Sequence, residues 1–216
     1  MPRISESTVR RLSHYYRALV EVEAEGTDVI SSQRLAEREG TTPAQVRKDL
    51  SHFGSFGRRG LGYDVAHLCR EIRAILGLDR RWRVVVVGAG NIGSALLAYR
   101  GFAAQGFEVV AVFDNDPRRI GEAVGGLQVR DVAELGAAGA SDSFDIGVIA
   151  APHHAAQAVA DLLVSAGVSA ILNFAPRKLI VPARVALRNV DLTMAFENLS
   201  FALTPTRGQR RRRAQD

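Results

Sequence analysis

Apolar positions along the chain follow two patterns, helical spacing in the first third and buried-strand runs in the rest. From Ser5 to Glu25, Val9, Leu12, Tyr16 and Leu19 share one face and predict a helix that stops at Gly26. Ser31-Ser32 then caps a short helix from Gln33 to about Glu39, and Gly40-Thr41 makes a turn. Thr42 caps the next helix, with Pro43 at the first position, where a missing N–H costs nothing. This helix runs to about Phe53 and points Val46, Leu50 and Phe53 inward. Residues 54–63 hold four glycines with Arg58 and Arg59, which suits a tight β-hairpin with cations at its tip. Val65 to Leu76 predicts a further helix, stopped by Gly77.

Beyond it, strands and helices alternate. Arg83–Val87 is an apolar strand, Asn91 to about Ala104 a helix, and Phe107–Phe113 a strand ending in Asp114. A short strand at Leu127–Val129, a helix at Asp131–Ala137 and a buried strand at Asp145–Ala151 follow. His153–Ala166 predicts a helix and Ser169–Phe174 a strand. Such alternation predicts a right-handed, doubly wound parallel sheet, making the chain an α/β protein with a winged helix-turn-helix domain in front. The expected domains are residues 1–80, 81–190, a C-terminal segment 191–205 and a basic tail 206–216 expected to be disordered. Val190 to Thr204 carries Phe196, Leu199, Phe201 and Leu203, too apolar for solvent and without a place in one subunit's sheet, so it predicts a dimer contact.

Composition narrows the setting. A length of 216 residues with 47% hydrophobic content suffices for two cores. The single cysteine, Cys69, fits a reducing cytoplasm, and no 18-residue apolar window or signal core predicts membrane insertion. The net charge of +5 is unevenly placed. Residues 43–62 carry Arg47, Lys48, Arg58 and Arg59 against Asp49 alone, and the tail adds Arg207 and Arg210 to Arg213.

The chemistry concentrates in two places. Gly88-Ala89-Gly90-Asn91-Ile92-Gly93 joins the Arg83–Val87 strand to a helix, and Asp114 ends the next strand. In a dinucleotide site, Gly88 allows the tight turn, Gly90 lets pyrophosphate approach bare backbone and Gly93 packs helix on strand. Helix N-terminal amides face the phosphates, and Asp114 bonds the adenine ribose hydroxyls, favouring NAD(H) over NADP(H). Ala151, Pro152, Asn173 and Phe174 are expected at the nicotinamide end. Glycines that only pack a Rossmann sheet are the plainer alternative. His153 and His154 at a helix start read as caps or surface groups more readily than as an acid–base pair.

The second place is the helix from Pro43. Its outward face of Ala44, Lys48 and Ser51, flanked by Gln45, Arg47 and His52, combines small or amide side chains for base edges with cations for phosphates. With Arg58 and Arg59 on a wing reaching a minor groove, it predicts binding to double-stranded DNA. A helical hairpin with a solvated face remains the alternative. A reductase would need a proton-transfer group and a substrate pocket, yet no tyrosine is followed by lysine four residues on, and no residues remain for a substrate domain. These features argue against an enzyme and for a sensor. The runner-up is a compact NAD-dependent reductase with an N-terminal interaction module; a third reading is a sensor of another nucleotide or acyl-CoA.

The run from Gln45 to Tyr63, with Gly88–Gly93, Phe113-Asp-Asn-Asp-Pro117 and Ile171–Pro176, resembles the Rex family of redox-sensing transcriptional repressors, from about Ser7 to Pro205. The resemblance implies a homodimer that binds palindromic operator DNA when NAD⁺ prevails and releases it when NADH binds. It further implies that the C-terminal helix, about Ala195 to Leu203, is swapped between subunits. By the same resemblance, Arg17, Tyr99 and Asp191 are the redox-switch residues, with Tyr99 also at the cofactor. Members of that family can carry a phenylalanine after that aspartate, near the nicotinamide, whereas this chain has Leu192. No metal is expected.

Overall fold

The structure is a computed structural model that describes residues 4–58 and 60–204. Expectations placed on Arg59, the Arg58 side chain and the tail from Arg207 lie outside the described residues. The chain divides into two compact units between Arg81 and Trp82.

In the first unit, α1 (Glu6–Ala24) begins at Ser5, whose hydroxyl accepts the Thr8 N–H. Its buried stripe is Thr8, Leu12, Tyr15, Leu19 and Val22, with Tyr16 beside it. Val9, expected on that face, is 43% exposed, because the core meets the helix one residue earlier, at Thr8. β1 (Val29–Ile30), α2 (Ser32–Arg38) and α3 (Pro43–Ser51) follow, with Ser31 and Thr42 as side-chain caps. β2 (Gly57–Arg58) and β3 (Gly62–Asp64) form the wing, and α4 (Val65–Ile75) closes the unit. β1 joins the hairpin in an antiparallel sheet of order β1-β3-β2. Gly62 has φ +88° and a Cβ there would stand 2.6 Å from the Ile30 carbonyl oxygen, so only glycine lets the strands meet.

The second unit runs β4 (Trp82–Val87), α5 (Asn91–Ala98), α6 (Gly101–Ala104), β5 (Phe107–Asp114), β6 (Ala123–Val124) and β7 (Leu127–Asp131). A 3-10 turn at Val132–Glu134 leads into α7 (Leu135–Asp142), then β8 (Ile146–Ile149), α8 (Ala156–Ser165), β9 (Ala170–Asn173), β10 (Ala186–Asn189) and α9 (Leu192–Leu203). The sheet order is β10-β9-β8-β4-β5-β7-β6, parallel except for the β6–β7 pair. Successive valines of β4 split between two cores. Val85 and Val87 pack with Phe113 against α7 and α8, and Val84 and Val86 pack on the α5 side. The chain leaves β4 toward β5 and β7, then returns to β4's other edge as β8. That reversal opens a crevice at the carboxyl ends of β4, β5 and β8.

Three expectations shift. The helix after the glycine turn breaks at Tyr99, whose ψ of 102° is extended, and restarts at Gly101. α8 starts at Ala156, so His153 and His154 lie in the preceding turn rather than inside the helix. The sheet gains edge strands β6 and β10. Among the described residues, no helix is long and apolar enough to cross a membrane.

Candidate cofactor cleft and DNA-facing surface

Each glycine of the turn after β4 has its own reason. Gly88 has φ +105° and would place a Cβ 2.5 Å from the Ala150 carbonyl oxygen. A Cβ on Gly93 would overlap the Gly88 carbonyl oxygen, so this glycine lets α5 pack on the turn. Gly90 has open space around its missing Cβ, on the side where a ligand would approach. The first amides of α5 have no partner within the helix, and Gly90, Asn91 and Ile92 at that end line the cleft described below.

Asp114, at the end of β5, accepts the Ala89 N–H on Oδ2 at 2.6 Å. Its Oδ1 accepts the Asn115 and Asp116 N–H groups at 2.7 and 2.9 Å. The carboxylate thus ties the glycine turn to β5. A cleft of about 700 Å³ lies above it, lined by Gly88, Gly90, Asn91, Ile92, Asp114, Ala151 and Pro152. Arg119, His154, Ala158 and Leu162, which sequence reasoning did not place there, also line it. Asp116 sits in the same wall, held down to about 2 by its bonds from Arg118. Among the described residues, no cluster of His, Cys, Asp or Glu fits a metal ion.

Asn173 and Phe174 do not line this cleft. Asn173 is fully buried, its Nδ2 donating to the Ala175 and Arg177 carbonyls and to Asn189 Oδ1, while its Oδ1 accepts the Ala175 N–H. It is a buckle between β9, β10 and the loop after β9, with every polar atom engaged. Phe174 packs into the core on the α5 side.

Of the switch residues, Tyr99 is 61% exposed, its ring edge-on to Phe102 with centroids 4.8 Å apart. Asp191 is the N-cap of α9, accepting the Thr193 and Met194 N–H groups at 2.9 and 3.2 Å. No hydrogen bond joins Tyr99 to Asp191 among the described residues. Arg17 is exposed on α1 in the other unit. α9 buries no residue, leaving Phe196 and Phe201 71% and 77% exposed.

On α3, Ala44, Arg47, Lys48, Ser51 and His52 are exposed and Gln45 is half-buried, the outward face expected from the sequence. Arg47 Nη1 donates to Ser32 Oγ at 3.0 Å. A groove of about 580 Å³ between α3 and the wing is lined by Ser31, Ser32, Arg47, Ser51, Gly57 and Gly60. Behind the face lies a cluster the sequence did not reveal. Asp49, 1% exposed, accepts Arg11 Nε on Oδ2 at 2.6 Å and Arg11 Nη2 on Oδ1 at 2.7 Å. Tyr15 Oη donates to Oδ2 at 3.0 Å and Gln45 Nε2 to Oδ1 at 2.8 Å. Burial alone would raise the Asp49 carboxyl; the bonds from Arg11, Gln45 and Tyr15 outweigh it and leave the group below its usual range. Burial, then the bond to Asp49, raises the Tyr15 hydroxyl.

Two family models match the chain: "CoA binding domain" over residues 79–177 and "Putative DNA-binding protein N-terminus" over residues 3–51. The redox-sensing transcriptional repressor Rex of Desulfitobacterium hafniense is 50% identical over 92% of this chain and 95% of its own length. The chain belongs to the Rex family. Rex of Streptomyces coelicolor is 48% identical over 92% of this chain and 77% of its own. Among solved structures, RSP, a Rex-family repressor, in complex with β-NAD⁺ and operator DNA is similar with a TM-score of 0.91. It is 39% identical, covering 94% of both chains. RSP in complex with β-NADH is similar with a TM-score of 0.85, 37% identical, over 94% of this chain and 95% of that one.

Proposed function

We propose that the protein is a redox-sensing transcriptional repressor that binds operator DNA when NAD⁺ prevails and releases it when NADH binds. The observation that carries this reading is one chain holding both a dinucleotide cleft and a cationic recognition face, in a family of repressors. It is a regulator and not an enzyme, and as a repressor it works in the cytoplasm.

The cofactor is NAD(H), with its pyrophosphate against the amides from Gly90 to Gly93 and its adenosine ribose at Asp114. A ribose phosphate, as in NADP(H) or coenzyme A, would meet that carboxylate as a repelling charge, so the CoA description of the family model reflects the shared fold. Ala151 and Pro152 line the same cleft, at the carboxyl end of β8. On the DNA side, Arg47, Lys48 and Ser51 face the major groove, and the wing, whose first strand ends at Arg58, reaches the minor groove.

The working unit is a homodimer in which α9 is swapped. Two uncovered apolar surfaces support this. One is α9 itself, and the other is an apolar hollow of about 230 Å³ on the α5 side of the sheet, lined by Val86, Leu96, Phe102, Val109, Val148 and Leu172 among others. Because Asp191 caps α9, a swapped helix carries Asp191 to the partner. Arg17, Tyr99 and Asp191 then form the switch, with an Arg–Asp or Tyr–Asp pair made in one redox state. NAD⁺ and NADH differ only at the nicotinamide, so the ligand shifts the equilibrium by its differential affinity there. By linkage, operator DNA must weaken NADH binding by the factor by which NADH weakens operator binding. The test is NADH affinity with and without saturating operator; equal values in the wild type would overturn the reading.

A further inference from the structure

Asp49 is satisfied without Gln45. Arg11 offers it a two-pronged guanidinium, and the buried Tyr15 hydroxyl adds a third donor. The fourth bond, from Gln45 Nε2 to Asp49 Oδ1 at 2.8 Å, therefore does more for the glutamine than for the aspartate. Gln45 lies one helical turn before Asp49, half-buried, between that buried carboxylate and exposed Ala44 and Lys48. A carboxylate only accepts, so the amide end facing Asp49 must be nitrogen. One N–H of that nitrogen is thereby used. What remains is Oε1, an acceptor, with the second N–H, a donor, side by side on a head held by a buried anchor. In the major groove the base edge complementary to an adjacent acceptor and donor is adenine, with N6–H₂ and N7.

We propose that Gln45 reads an adenine in each operator half-site and that Asp49, pinned by Arg11 and Tyr15, is the positioning residue that holds its amide. The inference rests on α3 being the recognition helix. A free glutamine samples many rotamers and can turn its amide over to suit other bases. The anchor removes that freedom before DNA arrives, so less ordering entropy is lost on binding and the donor–acceptor order is preset. Asp49 is a discrimination device that touches no base, and its link to α1 through Arg11 and Tyr15 sets the rotation of α3 about its axis.

The test uses the full-length protein with NAD⁺ and an operator enriched by the wild type from random duplex DNA. Each half-site base pair is then replaced in turn and the affinities compared at one salt concentration. The wild type is expected to prefer A·T at one position by roughly 5- to 150-fold, the range of a two-pronged amide contact. Gln45→Ala should abolish that preference at that position alone and leave the salt dependence unchanged. Asp49→Asn exchanges one of the two acceptor oxygens for a donor, loosens the anchor that Arg11, Tyr15 and Gln45 share and should diminish the preference at the same position. Where Asp49→Asn fails to keep native NADH binding and circular dichroism, Arg11→Lys takes its place, with a partial loss at that position expected. An unchanged preference profile in Gln45→Ala, or a uniform loss across all positions, overturns base reading. Loss in Gln45→Ala with an intact profile in the Asp49 or Arg11 variant overturns the positioning role. A wild type that enriches no sequence at all would instead strike the assignment of α3 as a DNA-reading helix.

Discussion

Removal of the Asp114 carboxylate should separate NADH from NADPH in a way that its surroundings define. The two oxygens accept three backbone N–H groups, from Ala89, Asn115 and Asp116. A carboxylate has about four acceptor sites, so one is left for a ribose hydroxyl without breaking the turn. A single hydrogen bond to a charged group contributes roughly 1.5–3 kcal/mol, so Asp114→Ala should weaken NADH binding by about 10- to 150-fold. It also leaves the N–H of fully buried Ala89 without its acceptor, which destabilises the turn itself by about 1–3 kcal/mol. Asp114→Asn keeps a neutral acceptor, roughly half as strong, and should fall between the wild type and the alanine variant. NADPH should respond in the opposite relative sense: without the carboxylate its 2′-phosphate is no longer repelled, and the NADPH-to-NADH ratio of dissociation constants should shrink. Fluorescence titration of both nucleotides against the three proteins, with calorimetric melting as a check on folding, provides the data. An NADH affinity within twofold of wild type in Asp114→Ala, or an unchanged nucleotide ratio, would refute the assignment of the ribose to this residue.

The glycines of the turn should divide by experiment. Gly93→Ala should lower the melting temperature and abolish NADH binding, whereas Gly90→Ala should melt like wild type yet bind NADH at least roughly tenfold more weakly; full affinity in Gly90→Ala would contradict a close-approaching pyrophosphate. Because the folded Asp49 carboxyl lies below its unfolded value, its cluster stabilises the first unit above pH ~4 and that contribution fades as acid protonates it. Pulse proteolysis in urea should therefore show the gap between wild type and Asp49→Asn narrowing as the pH falls below about 4, and a constant gap would contradict the ion cluster. Replacing Phe196 and Phe201 together by Asp should convert a dimer to a monomer in sedimentation, an expectation that a monomeric wild type at micromolar concentration would overturn.

What the sequence revealed was what neighbouring residues decide among themselves. The valine run of β4, the glycine turn and Asp114 are read within 33 residues of chain, from Trp82 to Asp114, and the caps Ser31 and Thr42 act within three residues of themselves. Features set by distant partners stayed hidden. Asp49 looked like one acid in a basic window because Arg11 lies 38 positions away. Asn173 looked like a ligand-facing residue because its bond to Asn189 spans 16 positions. β1 has two residues and β10 is largely exposed, so neither leaves a readable apolar period. The break at Tyr99 interrupts a stretch, Leu96-Leu-Ala-Tyr-Arg-Gly-Phe-Ala-Ala104, whose apolar composition continues across it.

That break has a genetic consequence. The Tyr99 ring lies over Gly101, where a Cβ would stand 2.5 Å from three of its atoms. The glycine is an empty seat, and any side chain there evicts the tyrosine. If Tyr99 takes part in the switch, a selection for strains whose repression ignores redox state should yield substitutions at Gly101. Such alleles would map to a residue with no functional group of its own. They would look like structural lesions in a survey of sequence variation, while acting as regulatory ones in the cell.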